Sequence, residues 1–225
     1  LKNEFLNVTA HEMKTPIQPI IVFSELLSQE RINNKEKEKE YLDIILRNSK
    51  RLKQITDELL DIARIESGSF SLTKSKFNLK ELITEILREY EQTIQLKTNL
   101  KLIYESSEIN EIIIEADRNR LCQVIQNLLK NAIQFTKEGS ITVIVQTKEN
   151  EILVSIKDTG TGIHPEVLPK LFTKFATKTL TAGTGLGLFI SKSIIEMHGG
   201  RIWATNNKEG VGTTITFTLP IKDNH

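Results

Sequence analysis

In residues 1–66 apolar side chains recur in alternating steps of three and four, and the repeat runs straight through two prolines. Leu6, Ala10, Met13, Ile17, Ile20 and Leu27 keep one phase if Ser24 fills a slot. Within this run, Thr15-Pro16-Ile17-Gln18 imitates a helix start: Thr at the cap, Pro at the first position, Gln three residues after the cap. A helix that began afresh at Thr15 would have no reason to preserve the register, so the stripe predicts one continuous, bent helix. Each internal proline then costs about 3 kcal/mol, Pro16 freeing the carbonyl of Glu12 and Pro19 that of Thr15.

A second stripe, Leu42, Ile45, Ser49, Leu52, Thr56, Leu59 and Ala63, predicts a helix from Lys35 to Glu66, with "SQERINNKE" as the turn between the two. Such a hairpin has one apolar seam and cannot close a core by itself. Pairing two hairpins into a four-helix bundle buries the seam, so residues 1–66 are expected to form a homodimer. A hairpin covered by the chain's own second domain is the alternative.

The remaining bulk properties narrow the class. At 225 residues and 39% hydrophobic content the chain suits one large or two modest domains. A net charge of +1 gives no basic field for nucleic acid. The single cysteine, Cys122, excludes an internal disulfide framework, fits a reducing compartment and reads as a small apolar helix residue. No apolar run approaches the roughly 20 residues that span a bilayer, and no signal peptide is visible. Because the first residue, Leu1, lies inside a helical pattern, the sequence reads as a cytoplasmic piece of a longer protein. Membrane contact is then expected only if an upstream region spans the bilayer.

From Ser67 the grammar changes. "ESGSFSLTKSKFN" brings turn residues and then strand-like alternation, which places a linker at 67–76. The following pattern predicts helices near 78–97, 118–136 and 185–197. Strands are expected near 100–105, 111–115, 140–147, 151–157, 201–205 and 213–219. The fold class is therefore multidomain: an all-α antiparallel hairpin in a dimeric four-helix bundle, then an α/β sandwich over 77–221.

Several motifs in the second part carry chemistry. "NLLKNAIQFT" sets Asn127 and Asn131 four apart on one helix face, where amide oxygens suit Mg2+ beside a polyphosphate; exposed polar filler is the competing reading. "VSIKDTGTGI" puts Asp158 at a strand end before Gly160 and Gly162. An acceptor-only carboxylate there can take a hydrogen bond from an exocyclic amine such as that of adenine. "AGTGLGLFISKSII" places Gly183, Gly185 and Gly187 ahead of a helix, a phosphate-binding arrangement whose spacing is neither the dinucleotide fingerprint nor the Walker pattern. Between them, "LFTKFATKTLTAG" suits a mobile lid with phenylalanines and lysines. His11 falls off the apolar seam, exposed at the flank of its helix, whereas His164, His198 and His225 read as ordinary surface histidines.

In family order, these segments resemble the sensor histidine kinases of two-component signalling. "FLNVTAHEMKTP" resembles the H box, "NLLKNA" the N box, "DTGTGI" the first glycine box, "LFTKFATK" the phenylalanine box, "GTGLGL" the second glycine box and "GVGTT" the third. The resemblance implies a dimerisation and histidine-phosphotransfer domain followed by a Bergerat-type ATP-binding domain. It implies ATP and Mg2+ as cofactors, and a response-regulator receiver as partner.

Carried over by position, it makes His11 the phosphoacceptor and Glu12 the base assisting its attack. Thr15 occupies the position that orients water for dephosphorylating a receiver's phosphoaspartate. Asn127 and Asn131 become metal ligands. The nucleotide site it implies comprises Lys130, Gln134 and Phe135 with the two asparagines. To these it adds Asp158, Gly160, Gly162, Ile163, Phe172, Lys174, Lys178 and Thr213. Gly183, Thr184, Gly185, Leu186, Gly187 and Leu188 complete the set. Two positions depart from the family pattern: Gln134 stands where a phosphate-contacting lysine is usual, and Ala182 replaces one of a glycine pair. The expected function is autophosphorylation of His11 by ATP, then transfer to a regulator aspartate, with regulator phosphatase activity a further possibility. A gyrase-like or chaperone ATPase would fit only residues 76–220, and a non-catalytic nucleotide-binding dimeric scaffold is the remaining alternative.

Overall fold

The computed structural model describes residues 2–29, 34–95, 99–107, 111–148, 150–174, 176, 185–207 and 211–221, with the side chains of 2–6, 92, 93 and 95 excepted. Its Cα positions divide into two compact units, one of residues through Phe70 with Gly185 and Leu186, the other of Ser71–Ala176 and the chain from Gly187 on.

Helix α1 runs unbroken from Lys2 to Ser28 with Pro16 and Pro19 inside it, so the register argument holds and the cap-like Thr15 is interior. The Thr15 hydroxyl donates instead to the carbonyl of His11, at 3.0 Å. Helix α2 spans Lys35–Glu66. The Asn34 side chain caps it by accepting from the N–H groups of Glu36 and Lys37, with Glu36 and Glu38 against the positive end of the dipole.

The line that the hairpin buries within one chain lies beside the stripe that a second hairpin was expected to cover. Ile55 and Ile62 are buried at 3% and 1% exposure, while Leu42 is 52% exposed and Thr56 and Ala63 lie in solvent. Of the expected positions, Ile45, Leu52 and Leu59 remain half-buried. Apolar residues on α2 cover more than one side, and within the chain the buried line is rotated by about one residue, a step of roughly 100°. Phe23 and Tyr41 pack across the hairpin with ring centroids 4.9 Å apart.

In the second unit, strand β1 (Ser75–Asn78) pairs antiparallel with β3 (Ile113–Ala116). This realises the alternation read before residue 79. Helix α3 covers Leu79–Gln95, β2 Leu100–Ser106, α4 Arg118–Phe135, β4 Gly139–Lys148, β5 Glu151–Asp158, α5 Gly187–Met197, β6 Ile202–Asn206 and β7 Thr213–Pro220. The main sheet has order β2-β4-β5-β7-β6, parallel only at β2–β4. Alternate residues of β4 and β5 (Ile141, Val143, Val145, Ile152, Val154, Ile156) are almost fully buried. So are Leu79 and Ile83 of α3, Leu121, Ile125 and Leu129 of α4, and Ile194 and Ile195 of α5. One face of the sheet and one stripe of each helix thus form the core, as a helix-on-sheet sandwich requires.

His198 departs from its surface reading: it is buried at 7% exposure. Its Nε2 accepts from the N–H of Asp117 at 3.0 Å, and its Nδ1 donates to the carbonyl of Ile194 at 2.8 Å. Asp117 in turn caps α4 by accepting from Arg120 N–H and also receives the N–H of Thr73. A histidine just past a helix end can fold back onto that helix's last carbonyls, which no local pattern announces. His164 is exposed as expected, and His225 lies outside the described residues.

Candidate phosphoacceptor and nucleotide sites

On α1, His11 is exposed and its neighbour Glu12 is buried at 3%. The Glu12 carboxylate receives Arg51 of α2 at 3.1 Å, an ion pair in which only the arginine side reaches solvent. Burying a carboxylate is costly unless it is paired, so Arg51 is what allows Glu12 to point inward while His11 points out. Arg51 had no signal in the sequence, because its partner is 39 residues away. Thr15, one turn after His11, is exposed.

In the second unit, α4 carries Asn127 and Asn131, both half-buried on the same side. Asn127 Nδ2 donates to Ser191 Oγ of α5 at 2.9 Å, which turns its Oδ1 toward the start of that helix. A Cβ on Gly187, the first residue of α5, would meet that oxygen at 2.3 Å. Glycine at this position therefore lets a helix N-terminus approach the asparagine directly. Among the described residues neither Asn127 Oδ1 nor the Asn131 side chain has a protein hydrogen-bond partner, so both retain hard oxygens that fit Mg2+. No cluster of three His, Cys, Asp or Glu side chains able to hold a metal occurs among the described residues.

Asp158 ends β5 and is buried at 8% exposure. Its Oδ1 accepts the N–H groups of Gly160 at 2.8 Å and Thr213 at 3.2 Å. Among the described residues Oδ2 has no protein donor. Burial pushes its carboxyl above the usual value, and the two N–H bonds pull against that rise. Gly160 packs on the C-terminus of α4, where a Cβ would sit 2.4 Å from the Phe135 carbonyl, and Thr161 N–H donates to the same oxygen. Phe135 itself is 45% exposed. The adjacent Thr136 hydroxyl is buried and has no protein partner among the described residues.

The other expected nucleotide residues divide clearly. Thr213 joins Asp158 directly, and Gly162 adopts φ +74° in the loop that follows. Ile163 bonds through both backbone groups to Asn206. Leu186 is buried, Leu188 half-buried and Gly185 at φ +65°. Lys130 and Gln134 are exposed on α4, as is Lys137 just beyond it. Phe172 is half-buried, and Lys174 holds its ammonium 5.0 Å from the Phe189 ring centroid. Lys178, Ala182, Gly183 and Thr184 lie outside the described residues. Sequence reasoning did not single out Ser191, Thr136, Asn206 or Asn207. Polar residues of these types are common at helix starts and turns, and only tertiary contacts distinguish them.

Two family models match the chain. The family model described as the His Kinase A (phospho-acceptor) domain matches residues 1–68. That of the histidine kinase-, DNA gyrase B- and HSP90-like ATPases matches residues 116–223. The catalytic domain of the histidine kinase ThkA is 36% identical, with a TM-score of 0.61 over 66% of this chain and 96% of that one.

The chain belongs to the sensor histidine kinases.

ThkA in complex with the response regulator protein TrrA is 32% identical, with a TM-score of 0.73 over 97% of this kinase chain and 61% of that structure. The autoinducer 2 sensor kinase/phosphatase LuxQ of Vibrio cholerae is 33% identical over 99% of this chain. The kinase chain spans 26% of the length of LuxQ. No helix among its described residues is long and apolar enough to cross a membrane.

Proposed function

We propose that this chain is the kinase core of a two-component sensor histidine kinase, which transfers the γ-phosphoryl of ATP to His11 and then to a response-regulator aspartate. The observation that carries the reading is the division of labour in one chain. An exposed His11 stands beside a buried Glu12 that Arg51 pairs on one unit, and a glycine-walled carboxylate and asparagine frame stands on the other.

In this reading a neutral imidazole nitrogen of His11 bonds to the γ-phosphorus while the bond to the β–γ bridging oxygen breaks. ADP leaves with that electron pair, and Glu12 takes the ring proton once its carboxylate swings out from Arg51. The ion pair with Arg51 holds the carboxylate inward, and its release frees Glu12 to reach the ring. Asp158 accepts the exocyclic amine of adenine through Oδ2, while the start of α5 and its glycines present backbone donors to phosphate. Asn127 and Asn131 would hold Mg2+, which when bound neutralises phosphate charge. The ThkA–TrrA complex supports a receiver domain as the second phosphoryl acceptor, and Thr15 is the residue we assign to any reverse, phosphatase reaction.

The apolar residues left open on the hairpin, Ile21, Val22 and Leu26 of α1 with Leu42, Leu46 and Leu60 of α2, support dimerisation through residues 1–66. In the same proposal 67–76 is the linker, its last two residues opening β1, and 77–221 is the catalytic domain.

Incubation with γ-labelled ATP tests the assignment. The wild type acquires an acid-labile, base-stable label, and His11→Gln acquires none while still binding ATP. Persistent label on His11→Gln rejects His11, and ATP binding without any label on the wild type favours the scaffold.

A further inference from the structure

Two adjacent asparagines, Asn206 at the end of β6 and Asn207 just after it, both reach back to the loop that follows β5. Asn207 is the more committed of the pair. Its Nδ2 donates to the backbone carbonyl of Asp158 at 2.9 Å and to that of Val211 at 3.0 Å. Its Oδ1 accepts the Thr214 hydroxyl at 2.7 Å, and its own N–H donates to the Gly212 carbonyl at 3.1 Å. Two carbonyls for the amide nitrogen and one hydroxyl for the amide oxygen admit a single orientation of the side chain. Asn206 clamps the far end of the same loop, accepting Ile163 N–H at 2.8 Å and donating to Ile163 O at 2.7 Å.

The register of the sheet explains why such a side chain is needed. The β5–β7 ladder ends at Lys157↔Thr214. At the next position Thr213 N–H does not pair with backbone but turns to the carboxylate of Asp158. The carbonyl of Asp158 is thereby deprived of the natural ladder donor, and the Asn207 amide takes that donor's place. Gly212 makes the arrangement possible, since a Cβ there would lie 2.0 Å from the same carbonyl.

We infer that Asn207, assisted by Asn206, is a positioning residue for adenine selection. It satisfies the Asp158 main chain so that Thr213 N–H stays on Oδ1 and Oδ2 stays directed at the base. Without the amide, the bare carbonyl competes for Thr213 N–H and the carboxylate loses the bond that sets its rotation. The inference rests on the proposed role of Asp158 as the acceptor for adenine.

Calorimetric titration of the full chain with ATP and with inosine triphosphate, which has oxygen in place of the exocyclic amine, separates the possibilities. The wild type prefers ATP. Asn207→Ala weakens ATP about tenfold, the scale of one lost charge-linked hydrogen bond, and leaves inosine triphosphate unchanged. Asn207→Asp, which keeps the acceptor for Thr214 but loses both donors, behaves like the alanine variant. Thr214→Val, a milder change that only loosens the amide, shifts the preference in the same direction by about threefold. Equal weakening of both nucleotides, or an unchanged preference in Asn207→Ala and Thr214→Val, overturns the positioning role while leaving Asp158 in place. A wild type that binds the two nucleotides equally rejects Asp158 as the adenine acceptor, and the role of Asn207 falls with it.

Discussion

His198 shows how much one ring can commit to. Nδ1 must carry a proton to donate to Ile194 O, and Nε2 must lack one to accept Asp117 N–H. The buried ring is therefore neutral with its proton on Nδ1, and protonating Nε2 would set two N–H groups against each other. Its pKa lies below the ordinary 6.5: burial lowers it most, the bond to Ile194 raises it, nearby Lys74 lowers it and Asp117 raises it. Below the ordinary value the unfolded chain binds more protons than the folded one, so stability falls as pH falls. The stabilisation is complete above about 6.5 and is lost as pH drops through the folded pKa. Trp203, the one tryptophan of the chain, reports melting of this unit. The expected outcome is a melting temperature that falls between about pH 7 and pH 5 in the wild type. In His198→Gln the slope is flatter, from a neutral-pH stability lower by about 1–2 kcal/mol. Parallel slopes in the two proteins would remove His198 as the cause.

At the level of elements, the hairpin exposes more apolar surface than its own chain covers. Leu42 and Leu46 are 52% and 53% exposed on α2, one turn apart. A second hairpin laid against them recovers about 1.5–3 kcal/mol per leucine, and two-fold symmetry counts each side chain twice. Leu46→Glu therefore raises the dimer dissociation constant by about 100-fold or more, measured by sedimentation equilibrium, while α1 and α2 keep their helical signal. A monomeric wild type at micromolar concentration, or an unaffected variant, would place the partner surface elsewhere.

The same surface marks where sequence reading stopped. Periodicity and caps placed α1 across its prolines, α2 from Lys35 to Glu66 and each strand of the main sheet, because these signals are local. The phase of the α2 seam was not local. Leu42 and Ile55 are chemically alike, and only the position of the neighbouring helix decides which is buried. The glycines and Asp158 were legible because a backbone approach or a lone carboxylate restricts residue type. Arg51, Asn207 and His198 were not, since each is defined by a partner that chain spacing does not disclose.

For the whole molecule, the reading separates acceptor and nucleotide frame between two compact units, and this has a kinetic consequence. Asn127, Asp158, Gly187 and Thr213 all belong to the unit that starts at Ser71, whereas His11, Glu12 and Arg51 belong to the hairpin. Residues 71–221 alone are expected to bind ATP with the affinity of the intact chain and to acquire no label, having no His11. Adding residues 1–70 as a separate polypeptide restores labelling on the hairpin, but as a bimolecular event. In the intact chain the tether supplies an effective concentration on the order of 1 mM, so with each piece at about 10 µM the labelling rate falls by about 100-fold. The rate should rise in proportion to hairpin concentration until it nears that of the intact chain, as followed by transfer from γ-labelled ATP. Full-speed labelling at low hairpin concentration would mean that the pieces bind tightly by themselves, and the tether would then add nothing. Failure to label at any concentration, with ATP binding intact, would mean that transfer needs the helix–linker continuity from Glu66 into β1, which makes the segment at 67–76 part of the catalytic apparatus and more than a spacer.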